Sequence, residues 1–183
     1  MKLTQKIIGT FAALALLGGF AANIDAKDLK VGDKAPEFKL QASDGKTYSL
    51  SQFKGKKAVV VAWFPKAFTG GCTKECKSMR EFGGELRKLN AAYFTASVDP
   101  VGGAKGNAAF AKSLGLDYPI LSDPTKATAK AYGILSPRGF SSRVTFYIGK
   151  DGKIIRIDRK VNVAKHGFDI AKNLGSLGVA KVR

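Results

Sequence analysis

The stretch Ala58-Val59-Val60-Val61-Ala62-Trp63-Phe64-Pro65-Lys66-Ala67-Phe68-Thr69-Gly70-Gly71-Cys72-Thr73-Lys74-Glu75-Cys76 sets the architecture of this chain. From Ala58 to Phe64 every residue is apolar and valine fills the middle, the pattern of a strand buried on both faces. A proline and two glycines then interrupt the run, and Thr73 to Asn90 reads as a helix. Strand, loop and helix in that order put the loop at the carboxyl end of a buried strand, where open α/β sheets place their ligands. Cys72 falls where the helix opens. There the first backbone N–H groups lack partners and the macrodipole favours an anion, so a thiol is biased towards thiolate.

Working outward, Glu37 to Leu40 and Thr47 to Leu50 flank Ser43-Asp44-Gly45-Lys46, which predicts a hairpin turning at Asp-Gly. It follows an extended entry over Val31-Gly32-Asp33-Lys34-Ala35-Pro36. Downstream, a strand is expected at Tyr93 to Val98, a helix at Asn107 to Ser113 and a short strand at Leu116 to Leu121. Asp123-Pro124 predicts a helix start, with Asp as N-cap, running to about Tyr132. Val144 to Ile148 and Lys153 to Ile157 form a second hairpin around Lys150-Asp151-Gly152, and a last helix covers Phe168 to Leu177. No internal repeat or low-complexity tract interrupts this order. The fold class is therefore α/β: a mixed central sheet with helices on both faces and an N-terminal β-hairpin.

Residues 1–26 read as a secretory signal. Lys2 and Lys6 precede an apolar run from Ile7 to Phe20, and Ile24-Asp25-Ala26 offers a cleavage point. The run of about 14 residues is short of the ~20 that span a bilayer as a helix. An uncleaved membrane anchor is the competing reading. The expected organisation is a signal at 1–26 and one domain at 27–183, exported to the periplasm or the extracellular space. A formal net charge of +17 favours anionic envelope components as incidental contacts. The lysines are scattered singly, without interleaved aromatic residues, which argues against a specific nucleic-acid role. Both cysteines, Cys72 and Cys76, belong to the mature domain, and a bridge closing so small a loop contributes little stability. Redox chemistry is the better account of the pair.

Pro65-x-x-x-Thr69-x-x-Cys72 resembles the active-site pattern of the peroxiredoxin (AhpC/TSA-like) family, and Thr69-Gly70-Gly71-Cys72-Thr73-Lys74-Glu75 is most similar to its Q-type, or bacterioferritin-comigratory, branch. The likeness extends from Val31-Gly32-Asp33-x-Ala35-Pro36-x-Phe38 through Leu121-Ser122-Asp123-Pro124 to Arg143-Val144-Thr145-Phe146. It implies a thioredoxin-like fold and thiol-dependent reduction of hydrogen peroxide or organic hydroperoxides, with no metal or organic cofactor. By position, Cys72 would be the peroxidatic nucleophile, Thr69 would offer its hydroxyl to the peroxide, and Pro65 would shield the thiolate. Arg143 would supply a cation, oriented by Glu75. The partners implied are a peroxide substrate and an external thiol or dithiol reductant of the thioredoxin kind, acting on a monomer or weak dimer. Such chemistry needs more than ionisation: lowering a thiol pKa from about 8.5 to about 6 raises the thiolate roughly 30-fold, but nucleophilicity falls with a Brønsted slope of ~0.4–0.5. Alignment of the O–O bond and stabilisation of the leaving oxygen must supply the rest.

The branch commonly carries its resolving cysteine five positions after the first, whereas Cys76 is four positions on. Helical neighbours at that spacing hold their Cβ atoms ~5–6 Å apart, against about 3.5–4.5 Å in a disulfide. Resolution of a Cys72 sulfenic acid by Cys76 therefore requires the helix to unwind; otherwise Cys76 is a core thiol and an external thiol resolves Cys72. Two alternatives use the same pair: a Sco-type copper chaperone and an exported thiol-disulfide oxidoreductase. Copper would want a histidine with the two thiolates, but the sole histidine, His166, lies past the final strand and is expected at the surface. An oxidoreductase normally separates its cysteines by two residues. A papain-like hydrolase would have only His166 as its base.

Overall fold

The computed structural model describes residues 28–182. The expected leader at 1–26 lies outside the described residues. Among the described residues seven strands and five α-helices follow in the order β1 (Lys39–Ala42), β2 (Thr47–Ser49), β3 (Ala58–Trp63), α1 (Gly70–Glu81), α2 (Gly83–Arg87), β4 (Ala91–Ser97), α3 (Asn107–Leu114), β5 (Ile120–Ser122), α4 (Ala127–Ala131), β6 (Val144–Ile148), β7 (Ile154–Asp158) and α5 (His166–Ser176). The strands form one sheet in the order β2-β1-β5-β4-β3-β6-β7. β3, β4 and β5 run parallel, while β6 pairs antiparallel with β3, and β1 antiparallel with both β2 and β5. Among the described residues no helix is long and apolar enough to cross a membrane.

The two-residue period of β3 divides the core. Val59, Val61 and Trp63 face Phe38, Phe94, Tyr132 and Phe146, a layer that Ala129 of α4 helps to close. Ala58, Val60 and Ala62 face Met79, Leu86, Ile170 and Leu174, carried by α1, α2 and α5. Each such apolar side chain contributes ~1.5–3 kcal/mol when fully buried. A third cluster unites Phe64, Cys72 and Cys76 with Phe110, Leu114 and Ile120. The mixed sheet, the helices on both faces and the N-terminal hairpin agree with the sequence reading.

Local departures have local causes. The helix expected at 73–90 begins earlier, at Gly70, and breaks at Phe82 before Gly83-Gly84, residues of low helix propensity. β5 starts only after Pro119, which has no N–H to pair. α4 begins at Ala127 rather than at Pro124, after Lys126 adopts a left-handed φ of 63°. The Asp123 carboxylate still reaches that helix, accepting from Ala129 N at 2.8 Å and from the Thr125 hydroxyl at 3.0 Å.

The contact that matters most for the site is α5 against α1. Gly167 N donates to Ser78 Oγ at 3.1 Å, and a Cβ on Gly167 would strike the Ser78 carbonyl, with Phe82 Cβ at 2.9 Å and Met79 Cα at 3.0 Å. Backbone atoms cannot give way as a flexible side chain can. Gly167→Ala is expected to cost about 1–3 kcal/mol by forcing the helices apart. Urea denaturation would measure it, and an unchanged midpoint would show that the helices close differently.

Candidate active site

At the end of β3 the chain turns across the tips of β4 and β5, and buried polar groups hold the turn in place. Ala67 N donates to Asp99 Oδ2 at 2.8 Å, and the Ser97 hydroxyl donates to the same oxygen at 2.9 Å. Buried Asn107 backs this pair, donating to Ser97 Oγ at 3.0 Å and Ser122 Oγ at 2.8 Å. Phe68 pays for the tight geometry with φ 60°, rare for a bulky residue, while its half-exposed ring packs 4.9 Å from Phe110. Pro65 is half-buried and Thr69 exposed. Thr69 is the N-cap of α1, and its hydroxyl donates to Lys66 O at 2.9 Å.

Cys72 is the third residue of α1 and only 1% exposed. Arg143 Nη2 donates to its sulfur at 3.3 Å. Arg143 arrives from the far end of the sequence because β6 pairs with β3, Val144 opposite Trp63, and because the Ser141 hydroxyl donates to Phe64 O at 2.7 Å. Room for the guanidinium depends on Gly71, where a Cβ would lie 3.3 Å from Nη2. One turn along α1, Glu75 is wholly buried and its Oε2 forms an ion pair with Arg143 Nη1. Cys72, Glu75 and Arg143, which the resemblance singled out, are thus brought together.

His166 is a correction. Rather than lying at the surface it is 2% exposed, at the first position of α5, with Nδ1 2.9 Å from Glu75 Oε1 and Nε2 2.9 Å from Thr145 Oγ1. The signal missed was that it opens an amphipathic helix whose start faces α1. Burial pushes its pKa down to about 4, and the Arg143 cation pushes the same way. The Asp169 and Asp158 carboxylates pull upward, but more weakly. Its Nε2 is held by Thr145 Oγ1 and its Nδ1 stands against Glu75 Oε1 rather than beside the thiols. Among the described residues no group of three or more His, Cys, Asp or Glu is arranged to hold a metal.

Cys76 lies beneath Cys72 in the same unbroken helix, and both thiols are free. It is fully buried, its carbonyl accepts from the Tyr118 hydroxyl at 3.0 Å, and burial pushes its thiol up to about 12. At ordinary pH it is a protonated core thiol. The loop anchors Asp99, Ser97 and Asn107 were also missed by sequence reasoning, since nothing in their spacing distinguishes them from other polar residues.

Residues 31–157 match the AhpC/TSA family. A Haemophilus influenzae relative of the bcp type is 33% identical over 156 residues, which span 81% of this chain and 98% of the relative. Peroxiredoxin Bcp of Escherichia coli is 30% identical, with 79% of this chain and 94% of that protein aligned. The crystal structure of peroxidoxin BcpB from Mycobacterium tuberculosis superposes with a TM-score of 0.72 at 29% identity, covering 81% of this chain and 97% of the other. The arrangement described above is therefore the thioredoxin-like fold.

The buried imidazole makes stability depend on pH. Its folded pKa of about 4 lies below the ~6.5 of an unfolded histidine, so between those values the unfolded chain binds the extra proton. Stability is intact above that window and falls as pH drops through it, by up to about 3 kcal/mol. His166→Asn, which cannot titrate, should lose correspondingly less stability on acidification in parallel urea melts. Equal acid losses in the two proteins would refute a neutral buried imidazole.

Proposed function

This chain belongs to the AhpC/TSA family and is a peroxiredoxin, a cysteine-based peroxidase, and we propose that Cys72 is the residue that attacks the peroxide. The observation that carries the assignment is the 3.3 Å contact between Arg143 Nη2 and Cys72 Sγ, at the start of a helix. A cation meets the sulfur in the first turn of a helix, where the macrodipole also favours an anion.

The Cys72 thiolate attacks the terminal oxygen of a hydroperoxide, forming an S–O bond as the O–O bond breaks. The bonding pair leaves on the other oxygen, which takes up a proton and departs as water or alcohol. Arg143 sits where charge passes from sulfur to oxygen, and a preorganised donor in such a place supplies about 10²–10³ in rate. Because Thr69 gives its own proton to Lys66 O, its oxygen is left to accept from the peroxide hydroxyl. Pro65 limits the water reaching the sulfur. Cys72 ends the step as a sulfenic acid.

Cys76 then condenses with that sulfenic acid, releasing water and forming a disulfide that an external dithiol reduces. Its burial and its place in α1 require the first turns of the helix to open beforehand. The same burial favours a second reading, in which Cys76 stays in the core and an external thiol attacks Cys72 directly. The enzyme acts as a monomer or weak dimer. Export is also proposed, on the strength of Lys2, Lys6 and the apolar run Ile7 to Phe20.

In a peroxide-consumption assay with a dithiol donor, Cys72→Ser should abolish turnover, and Cys76→Ser should slow it to a degree set by the donor. Mass spectrometry after one equivalent of peroxide should find a Cys72–Cys76 disulfide; a Cys72 sulfenic or sulfinic acid beside a free Cys76 selects the one-cysteine route. A wild-type enzyme indifferent to hydroperoxides overturns the assignment of Cys72. Export predicts that the protein recovered outside the cytoplasm begins near Lys27, and recovery only as an uncleaved cytoplasmic chain refutes it.

A further inference from the structure

Behind Arg143 stands a support that peroxide chemistry does not itself require. Glu75 has two oxygens, one facing Arg143 and the other 2.9 Å from His166 Nδ1. Nδ1 and Oε1 are both buried and have no other polar partner among the described residues, so each is the only group placed to serve the other, with the imidazole proton on Nδ1 because a carboxylate only accepts. Nε2 then offers a lone pair to the Thr145 hydroxyl at 2.9 Å, which donates and fixes this neutral tautomer. Three elements meet at the ring: α1 through Glu75, β6 through Thr145 and α5 through His166 itself. Gly167 N, on Ser78 Oγ at 3.1 Å, prevents α5 from drifting away with the imidazole. The charged and titratable groups around the ring are Glu75 and Cys72 from α1, Arg143 from the entry to β6, Asp158 from β7, and Asp169 on its own helix.

We propose that His166 is a positioning residue for the Cys72 site: by holding Glu75 Oε1 it fixes the carboxylate that aims the Arg143 guanidinium at the sulfur. This rests on Cys72 as the peroxide-attacking residue. Without the Nδ1 donor, a fully buried carboxylate loses one of its two partners and must turn or take up a proton. Either response loosens the guanidinium. A displacement of about 1 Å in such a group costs up to about 10²-fold in rate. Thr145 acts one step further out, by choosing which nitrogen carries the proton.

The amide isosteres separate this role from plain packing. His166→Asn keeps an N–H near the position of Nδ1, while His166→Gln places its amide near Nε2 and leaves Glu75 without a donor. In folded protein, His166→Gln should slow the reaction of Cys72 with hydrogen peroxide about ten- to hundredfold, whereas His166→Asn should retain most of the rate. Alkylation of Cys72 by iodoacetamide, followed against pH, reads the site without peroxide. Its profile should move to higher pH in His166→Gln and stay near wild type in His166→Asn. On an Arg143→Gln background, His166→Gln should add less than about twofold, because it acts through that arginine. Should His166→Gln fail to fold, Thr145→Val carries the test, with a smaller displacement in the same direction.

Unmoved alkylation profiles in the folded variants would overturn the proposal. So would equal losses in the Asn and Gln variants, or a full additional loss on the Arg143→Gln background. If the variants show the expected alkylation contrast yet the wild-type protein consumes no peroxide, the result instead counts against the peroxidase assignment of Cys72.

Discussion

One guanidinium, that of Arg143, is shared between a sulfur and a buried carboxylate, and the rest of the site is arranged to make that sharing possible. With an effective dielectric of about 20, unit charges 3.3 Å apart attract by about 5 kcal/mol before desolvation is counted. Removing both groups from water opposes that gain, so the geometry must be held from outside the pair. β6 brings Arg143 to the tip of β3, Ser141 ties its loop to Phe64, and Gly71 leaves the space it fills. Glu75, one helical turn from Cys72, holds the cation in register with the thiol.

The polar interior of this protein follows the same logic at three places. Asn107, buried beneath the strand tips, satisfies hydroxyls on β4 and β5 and leaves Asp99 free to anchor the loop before Cys72. Asp123 holds the entry to α4 from β5, and His166 meets both Glu75 and Thr145. In each case one buried side chain ties two elements together, neighbours in the chain at Asp123 and distant ones at His166. Polar groups retained in a core at such expense constrain the relative placement of elements, which apolar packing alone leaves looser.

Much of the architecture was legible because apolar periodicity is a local property. The Ala58 to Phe64 run, both hairpins and the strand–loop–helix around Cys72 could be read directly. Helix ends were harder: Lys126 in a left-handed conformation delays α4, and Gly83-Gly84 splits a helix whose composition otherwise continues. Arg143 and Glu75 were found through a resemblance, since no local rule relates residues so far apart. His166 was misplaced because position along the chain says little about depth. A lone histidine after the last strand reads as surface until the packing of α5 on α1 is known. Likewise, the spacing of Cys76 showed that an intact helix blocks a disulfide, but not that Tyr118 would hold the Cys76 carbonyl in the core.

That Tyr118 contact and the continuous helix around Cys76 bear on how a reductant selects its target. If the bridged enzyme forms, α1 must partly melt, and buried Phe110, packed on both cysteines, and buried Tyr118, bonded to the Cys76 carbonyl, lose part of their cover. A donor protein could then distinguish spent from ready molecules by touch, docking on the newly uncovered apolar surface before any sulfur is exchanged. Refolding of the helix after reduction would eject the donor, so that product release is driven by the enzyme's own return to shape.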